Sequence, residues 1–173
     1  MSLIHEITVR QMSSMLRNLD RWIEAGIEHA EHKGFDPDTF MEMRLAPDMF
    51  PLRRQVQSAC DAAKFAATRA AGIEAPKHED DEKTLADLRA RITETLAFME
   101  TVTAEKMEGA DEREVRLGFL PGKAAKAQHY VVDFAVPNFY FHVVTAYDIL
   151  RSSGVTLGKR DYIRDFRLYD VED

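Results

Sequence analysis

Residues 51–72 read PLRRQVQSACDAAKFAATRAAG, and this stretch decides the fold. Its apolar residues recur at spacings of three and four, which places them on one face of an α-helix. That face consists of Leu52, Val56, Ala59, Ala63, Ala66 and Ala70. Pro51 is typical of the start of a helix, and Gly72 is typical of the position just after its end. Because most of these apolar side chains are alanines, we predict a helix to about Ala71 that another helix approaches closely.

Three other segments show the same helical spacing, at residues 4–33, 82–106 and 137–154. The apolar faces of the first two are formed by Met12, Leu16, Leu19, Ile23, Gly26 and Ala30, and by Leu85, Leu88, Ile92, Leu96, Met99 and Val102. The last segment, PNFYFHVVTAYDILRSSG, begins with a proline and ends with a glycine, as helices often do. Four helices with one apolar stripe each bury those stripes only against one another. The sequence therefore predicts an all-α fold, an antiparallel four-helix bundle.

The long connection before the last helix contains two candidate strands. EVRLGFL at residues 114–120 and QHYVVDFA at residues 128–135 are rich in β-branched and aromatic residues, which favour strands. Pro121 and Gly122 lie between them and indicate a turn. We therefore predict a small β-hairpin inserted before the last helix.

The remaining connections are short or polar. Asp36 followed by Pro37 predicts the cap and first turn of a short helix. Residues 73–82 form a polar linker, and the tail is expected to hold one short helical turn. We expect residues 1–173 to form one domain.

Composition narrows the classes of function. The chain of 173 residues has a net charge of −7, so we do not expect DNA, RNA or an anionic membrane surface as a partner. No apolar run approaches the roughly 20 residues that span a bilayer, and the N-terminus, MSLIHEITVRQ, does not resemble a signal peptide. The single cysteine, Cys60, excludes an intramolecular disulfide and is typical of a reducing cytoplasm, where we expect the protein to be located.

Three blocks of the chain resemble a known protein family. They are RLAPDMFPLRRQVQSACDAAK at residues 44–64, DDEKTLADLRARI at residues 80–92 and VPNFYFHVVTAYDILRSSGVTLGKRDY at residues 136–162. These blocks are similar to the signature of a bacterial family called domain of unknown function 1993, which looks like a branch of the DinB/YfiT-like superfamily of four-helix bundles. The resemblance implies a DinB-like bundle over most of the chain, and it brings no assigned reaction.

The same resemblance implies a candidate metal site. The superfamily includes metal-dependent enzymes, among them thiol-dependent S-transferases, whose metal is usually held by one histidine of the second helix and two histidines of the fourth. The second of those two positions matches His142, and the first matches Asn138, whose amide is a poorer ligand than an imidazole. No histidine is present on the second helix, so Gln55, Gln57 and Asp61 are the remaining candidates there. We expect a degenerate metal site formed by His142, Asn138 and Asp61.

His142 is the best candidate for a functional side chain. It shares its helix face with Asn138, Ala146 and Ile149, so we expect its ring to point into the bundle. One interpretation is a buried histidine with its hydrogen bonds satisfied, and the other is a ligand or proton-transfer group. A neutral imidazole needs both a donor and an acceptor partner in either case.

The second helix carries further polar candidates at helical spacing. Gln57, Asp61 and Lys64 form either a solvated face with an Asp61–Lys64 ion pair or the lining of a cleft beneath the hairpin. Gln55 lies closer to the apolar stripe and is the residue that could approach His142. We predict that Gln55, Gln57 and Lys64 take part in ligand binding.

The last helix is apolar nearly all the way round. Besides its inward face it carries Tyr140, Phe141, Val144 and Tyr147, and such a helix is covered on more than one side. The cover is either the hairpin or a second subunit, and we predict a homodimer through this region. We predict that Tyr147 also takes part in ligand binding.

Two other features have structural interpretations. His29 and His32 are three residues apart on the first helix, but their charged surroundings predict exposure to solvent. Cys60 lies among alanines at the edge of the apolar stripe, so we predict a buried and unreactive thiol.

The sequence therefore leaves two functions open. The first is a non-catalytic or small-ligand-binding bundle with a degenerate metal site and no cofactor, and the missing histidines favour it. The second is a divalent-metal-dependent enzyme of the thiol S-transferase or hydrolase kind. It would hold Zn, Ni or Mn through His142, with Asn138, Gln57 or Asp61 completing the ligand set.

Overall fold

A computed structural model describes residues 2–165 and 167–171 of the chain. Helix α1 covers residues 3–33, with a π-helical segment at Glu6–Gln11. It ends at Gly34, whose positive φ of 76° is the left-handed conformation that glycine adopts without strain. The first predicted helix is confirmed almost to the residue.

Helix α2 is Leu52–Ala71 and helix α3 is Leu85–Glu100. Between α1 and α2, a 3-10 helix at Pro37–Glu42 begins at Asp36, whose side chain caps it as predicted. Helix α3 is shorter than the predicted 82–106 because a capping box between Thr84 and Asp87 fixes its start. Glu82 is thereby left in the preceding linker, where its side chain is buried.

The predicted hairpin is present, but its second strand is not where the sequence indicated. Strands β1 (Glu114–Arg116) and β2 (Ala124–Lys126) pair antiparallel, with Val115 opposite Ala125. The second strand therefore lies within the segment expected to form the turn. The predicted strand QHYVVDFA is instead helical.

Helix α4 begins ten residues before the proline that was expected to start it and covers residues 127–152. It contains a π-helical segment at Val131–Ala135, where the Val136 N–H bonds to the Val131 carbonyl. Pro137 has no N–H, and its ring collides with the carbonyl four residues earlier in a regular helix. The wider π-helical turn removes that collision and lets the helix continue through the proline.

Helix α2 lies at the centre of the bundle and packs most extensively against α4 and then α3. A final turn, helix α5 (Lys159–Tyr162), packs against α1 and reaches α4 through the contact of Tyr162 with Tyr147. The Trp22 ring stacks on Tyr162 at 5.5 Å and meets Tyr147 edge-on at 5.2 Å. Part of the apolar surface of α4 is therefore covered by the C-terminal turn and not by the hairpin. In the described residues, no helix combines the length and the apolar character needed to cross a bilayer.

Candidate functional site

A cleft of about 240 Å³ lies between α2 and α4, beneath the loop of the hairpin. One stripe of each helix lines it, at the spacing of one helical face. The lining residues are Ser58, Asp61, Ala62, Phe65 and Arg69 from α2, Tyr130, Phe134, Ala135, Asn138 and His142 from α4, and Phe119 from the hairpin loop. Since the two helices run antiparallel, Ser58 lies at the level of His142, and Arg69 at the level of Tyr130. Three of the predicted site residues, Asp61, Asn138 and His142, thus line the same cleft.

The His142 ring is held by Gln55, as the position of Gln55 next to the apolar stripe suggested. The Gln55 amide nitrogen donates to the Phe50 carbonyl at 3.1 Å, so its oxygen faces the imidazole. Because that oxygen can only accept, Nδ1–H of His142 donates to it, at 2.8 Å. This contact fixes the tautomer and leaves the Nε2 lone pair of His142 free.

The surroundings of His142 favour the neutral ring. Burial lowers the pKa of His142 from its ordinary value of 6.5, and the nearby Arg54 cation lowers it further. Nε2 makes no hydrogen bond to any described residue. At neutral pH the cleft therefore contains a hydrogen-bond acceptor that the fold itself does not use.

Asp61 is held by two cations. Its Oδ1 lies 2.9 Å from the Lys64 ammonium and 3.1 Å from the Arg91 guanidinium. The predicted Asp61–Lys64 pair is therefore present, and Arg91 adds a second positive charge. The Asp61 carboxylate is therefore already paired before any ligand arrives, with Lys64 and with Arg91, which it shares with Asp80 and Glu82.

The donor set does not fit a divalent metal ion. Asn138 offers a weakly coordinating amide, and the cations beside Asp61 repel a further positive charge. Within residues 2–165 and 167–171, no three histidine, cysteine or carboxylate side chains are grouped so that they could hold a metal ion. Of the described residues that line the cleft, only His142 offers an unpaired imidazole nitrogen, which is a good ligand for Zn or Ni.

Gln57 and Lys64 lie in a buried ion-pair cluster on the side of α2 that faces α3. We define this cluster as Gln57, Asp61, Lys64, Glu82 and Arg91. The Arg91 guanidinium lies 2.8 Å from the Glu82 carboxylate, and Gln57 donates to the other Glu82 oxygen at 2.7 Å. Gln57 and Lys64 are only 3% and 2% exposed, so the interpretation as a solvated face is wrong for both. Neither residue lines the cleft.

Hydrogen bonds keep the Glu82 carboxylate ionised. Burial acts to raise the pKa of Glu82, but hydrogen bonds from Arg91 and Gln57 outweigh it, so the pKa lies below its ordinary value. The linker adds two further contacts to Arg91, from the Glu79 carbonyl at 3.0 Å and the Asp80 carboxylate at 3.1 Å. The cluster thus fastens the linker between α2 and α3 to the bundle.

Arg69 is a cleft residue that was not predicted from the sequence. Its guanidinium lies 4.7 Å from the centre of the Phe65 ring and 5.6 Å from that of Tyr130, and it donates to the Tyr130 hydroxyl at 3.0 Å. The sequence does contain a signal for this residue. Asp61, Phe65 and Arg69 are spaced four residues apart, which places all three on one face of α2.

Two other candidates lie away from the cleft. Tyr147 packs against Trp22 and Tyr162 on another side of α4 and does not line the cleft. Cys60 is fully buried, and burial raises the pKa of its thiol to about 12. The prediction of an unreactive thiol agrees with this environment.

The helical bundle with its inserted hairpin has a DinB-like fold. A family model described as domain of unknown function (DUF1993) matches residues 4–163, so the chain belongs to that family. The chain is also similar to a DinB family member from Shewanella denitrificans, whose crystal structure superposes with a TM-score of 0.94 at 38% sequence identity. That match covers 98% of this chain and 96% of the other. No curated protein matches the chain.

Proposed function

We propose that this protein binds a small organic molecule in the cleft between α2 and α4 and does so without a metal ion. The observation that carries this proposal is the neutral His142 ring, whose tautomer is fixed by Gln55 and whose Nε2 is left without a partner in the described residues. A fold seldom leaves such a group unsatisfied at a partly buried position unless water or a ligand binds it.

Other features of the cleft support the same proposal. The side chains of Ser58 and Asn138 make no hydrogen bond to the described residues, and both line the cleft together with His142. The π-helical segment at Val131–Ala135 also borders it, and such segments occur frequently at functional sites. Polar groups that converge on an apolar cleft are typical of ligand sites.

The size of the cleft limits the ligand. Its volume of about 240 Å³ is below the roughly 300–1,000 Å³ of pockets for drug-sized molecules. It exceeds the roughly 150 Å³ of an engineered cavity that binds benzene. The ligand therefore has about one ring and a few polar atoms.

The alternative of a metal-dependent enzyme has less support. Gln55 takes the position next to His142 from which a second-helix ligand would act, and its oxygen is already bonded to Nδ1–H. Asp61 is engaged by Lys64 and Arg91. Gln55 thus orients the His142 ring, and Asp61 is held by cations.

A fragment screen by NMR tests the proposal, with binding detected on the fragment signals and the site detected on the histidine signals of the labelled protein. We expect single-ring fragments to bind the wild-type protein at millimolar concentration and to shift the imidazole signals of His142. Asn138→Phe fills the cleft from α4 and should abolish this binding. Asp148→Phe places the same ring at an exposed position of α4 outside the cleft and should leave it intact. Absence of binding to the wild type, or equal binding by both variants, would contradict the proposal.

We also propose that the protein forms a homodimer through α4. Phe141 and Val144 lie three residues apart on its outer side and are 57% and 38% exposed. Large apolar side chains that share one exposed face are typical of protein interfaces. Light scattering should give a dimer mass for the wild type and a monomer mass for Phe141→Glu. A monomer mass for the wild type at micromolar concentration would exclude the dimer.

A further inference from the structure

The chemistry of the cleft changes along its length, and the end away from His142 is cationic. Arg69 makes no ion pair with any described carboxylate. Of its five N–H groups, one donates to the Tyr130 hydroxyl, and the others make no hydrogen bond to the described residues. A guanidinium cation with most of its donors unused therefore faces the cleft.

The Arg69 guanidinium is already oriented. It lies against the Phe65 and Tyr130 rings, and the bond to the Tyr130 hydroxyl restricts its rotation. A planar guanidinium binds a carboxylate through two parallel hydrogen bonds, and orientation before binding reduces the entropy that binding costs.

Among the described residues that line the cleft, no unpaired carboxylate opposes an anion. Asp61 is the carboxylate of the lining, and it is paired with Lys64 and Arg91. The remaining charge of the cleft is that of Arg69. An anionic ligand would gain attraction there, although the whole chain carries a net charge of −7.

The walls next to Arg69 are aromatic. Phe119 of the hairpin loop lies 5.7 Å from Phe134, and Phe134 stacks on Tyr130 at 5.9 Å, as measured between ring centres. Together with Phe65, these rings form walls suited to a flat apolar body. Resting on the ligand-binding function proposed above, we propose that the ligand is a small aromatic carboxylate whose carboxylate is bound by Arg69.

Calorimetric titration with phenylacetate and with its uncharged amide, phenylacetamide, tests this inference. The two probes share their ring and differ in charge, so wild-type protein should bind phenylacetate at least about tenfold more tightly. Arg69→Met keeps the aliphatic stem over Phe65 and removes the charge, and it should abolish the preference. Arg53→Met removes another cation of α2, one that pairs with Glu42 outside the cleft, and should leave the preference unchanged.

The outcomes separate this inference from the proposed function. Equal affinity for both probes, or an unchanged preference in Arg69→Met, would overturn the role of Arg69 while leaving a ligand-binding cleft. The same conclusion would follow if phenylacetate failed to bind while neutral fragments still shifted His142. If neither probe nor any other fragment bound at millimolar concentration, both the role of Arg69 and the ligand-binding function would be contradicted. Arg69→Lys, which keeps the charge without the planar fork, should restore only part of the preference.

Discussion

Helix α2 lies between two groups of polar side chains that differ in how completely their hydrogen-bonding groups are satisfied. On the side facing α3, the ion-pair cluster brings Lys64 and Arg91 against Asp61 and Glu82. On the side facing α4, the cleft contains a histidine nitrogen and a guanidinium with unused hydrogen-bonding capacity. Polar groups that satisfy one another hold a fold together, whereas groups left open are available to a ligand.

Asp61 lies at the border of the two groups. Its side chain lines the cleft, yet its charge is taken by Lys64 and Arg91 of the cluster. The cluster therefore compensates the negative charge of the cleft and also positions the linker.

The largest effect is expected from Arg91→Met, which breaks the cluster. Removing the guanidinium leaves the carboxylates of Asp61 and Glu82 without their shared partner. Loss of one member of a buried ion pair costs about 3–5 kcal/mol of unfolding free energy, measurable by urea denaturation. Arg89→Met is the matched control, because Arg89 pairs with Asp20 at a more exposed position and should cost about 1 kcal/mol or less. Equal losses in the two variants would mean that the cluster does not stabilise the fold as described.

A smaller effect is expected from Gln55→Ala, which opens the contact between α2 and α4. The Phe50 carbonyl and Nδ1–H of His142 both lose their partner, which costs about 1–3 kcal/mol of unfolding free energy. Gln11→Ala removes an exposed amide on α1 and should change stability by about 0.5 kcal/mol or less. If Gln55→Ala were as stable as this control, Gln55 would not be holding the ring.

The pH dependence of stability should show a still smaller contribution from His142. Its pKa in the folded protein lies below 6.5, so the unfolded chain binds the proton more readily. Stability is therefore lost as the pH falls from 6.5 toward the folded-state pKa. His142→Gln should flatten the dependence of urea midpoints between about pH 7 and about pH 5. His78, whose pKa is also lowered, first by burial and then by Lys64 and Arg91, contributes in the same direction and remains in the variant. An unchanged slope in His142→Gln would contradict a neutral ring.

No effect is expected from added Zn, Ni or Mn. The cations beside Asp61 oppose a metal ion in the cleft, so the melting temperature should stay the same at millimolar metal. Elemental analysis of the purified protein, with His142→Ala as the control, checks this directly. A stoichiometric metal in the wild type that is absent from His142→Ala would contradict this expectation and support the alternative of a metal-dependent enzyme.

The sequence predicts the elements whose signals are local. The apolar stripe of α2, with Pro51 before it and Gly72 after it, gives both the helix and its boundaries. The predicted strand QHYVVDFA was wrong because its β-branched and aromatic residues pack against α2 as a helix, with Tyr130, Val131 and Ala135 buried. Strand propensity was overridden by tertiary packing, as is common for short segments.

The site was predictable only where its contacts follow from the spacing within one helix. His142, Asn138 and Asp61 could be assigned to helix faces, and they do line one cleft. The burial of Lys64 could not be predicted. Its charge is compensated in a cluster that Arg91 completes, and Arg91 belongs to a different helix, α3. The part of the cleft around Arg69 could not be predicted either. Arg69 bonds to Tyr130, and Tyr130 lies in the segment that was predicted to be a strand.

The central claim is that Gln55 holds His142 as a neutral ring with Nε2 open to the cleft. The nitrogen-15 chemical shifts of the His142 imidazole at neutral pH test it most directly. We predict a protonated Nδ1 and an unprotonated Nε2, with the Nε2 signal moving when a ligand binds. A ring protonated at Nε2, or one that exchanges rapidly between both tautomers, would contradict the claim.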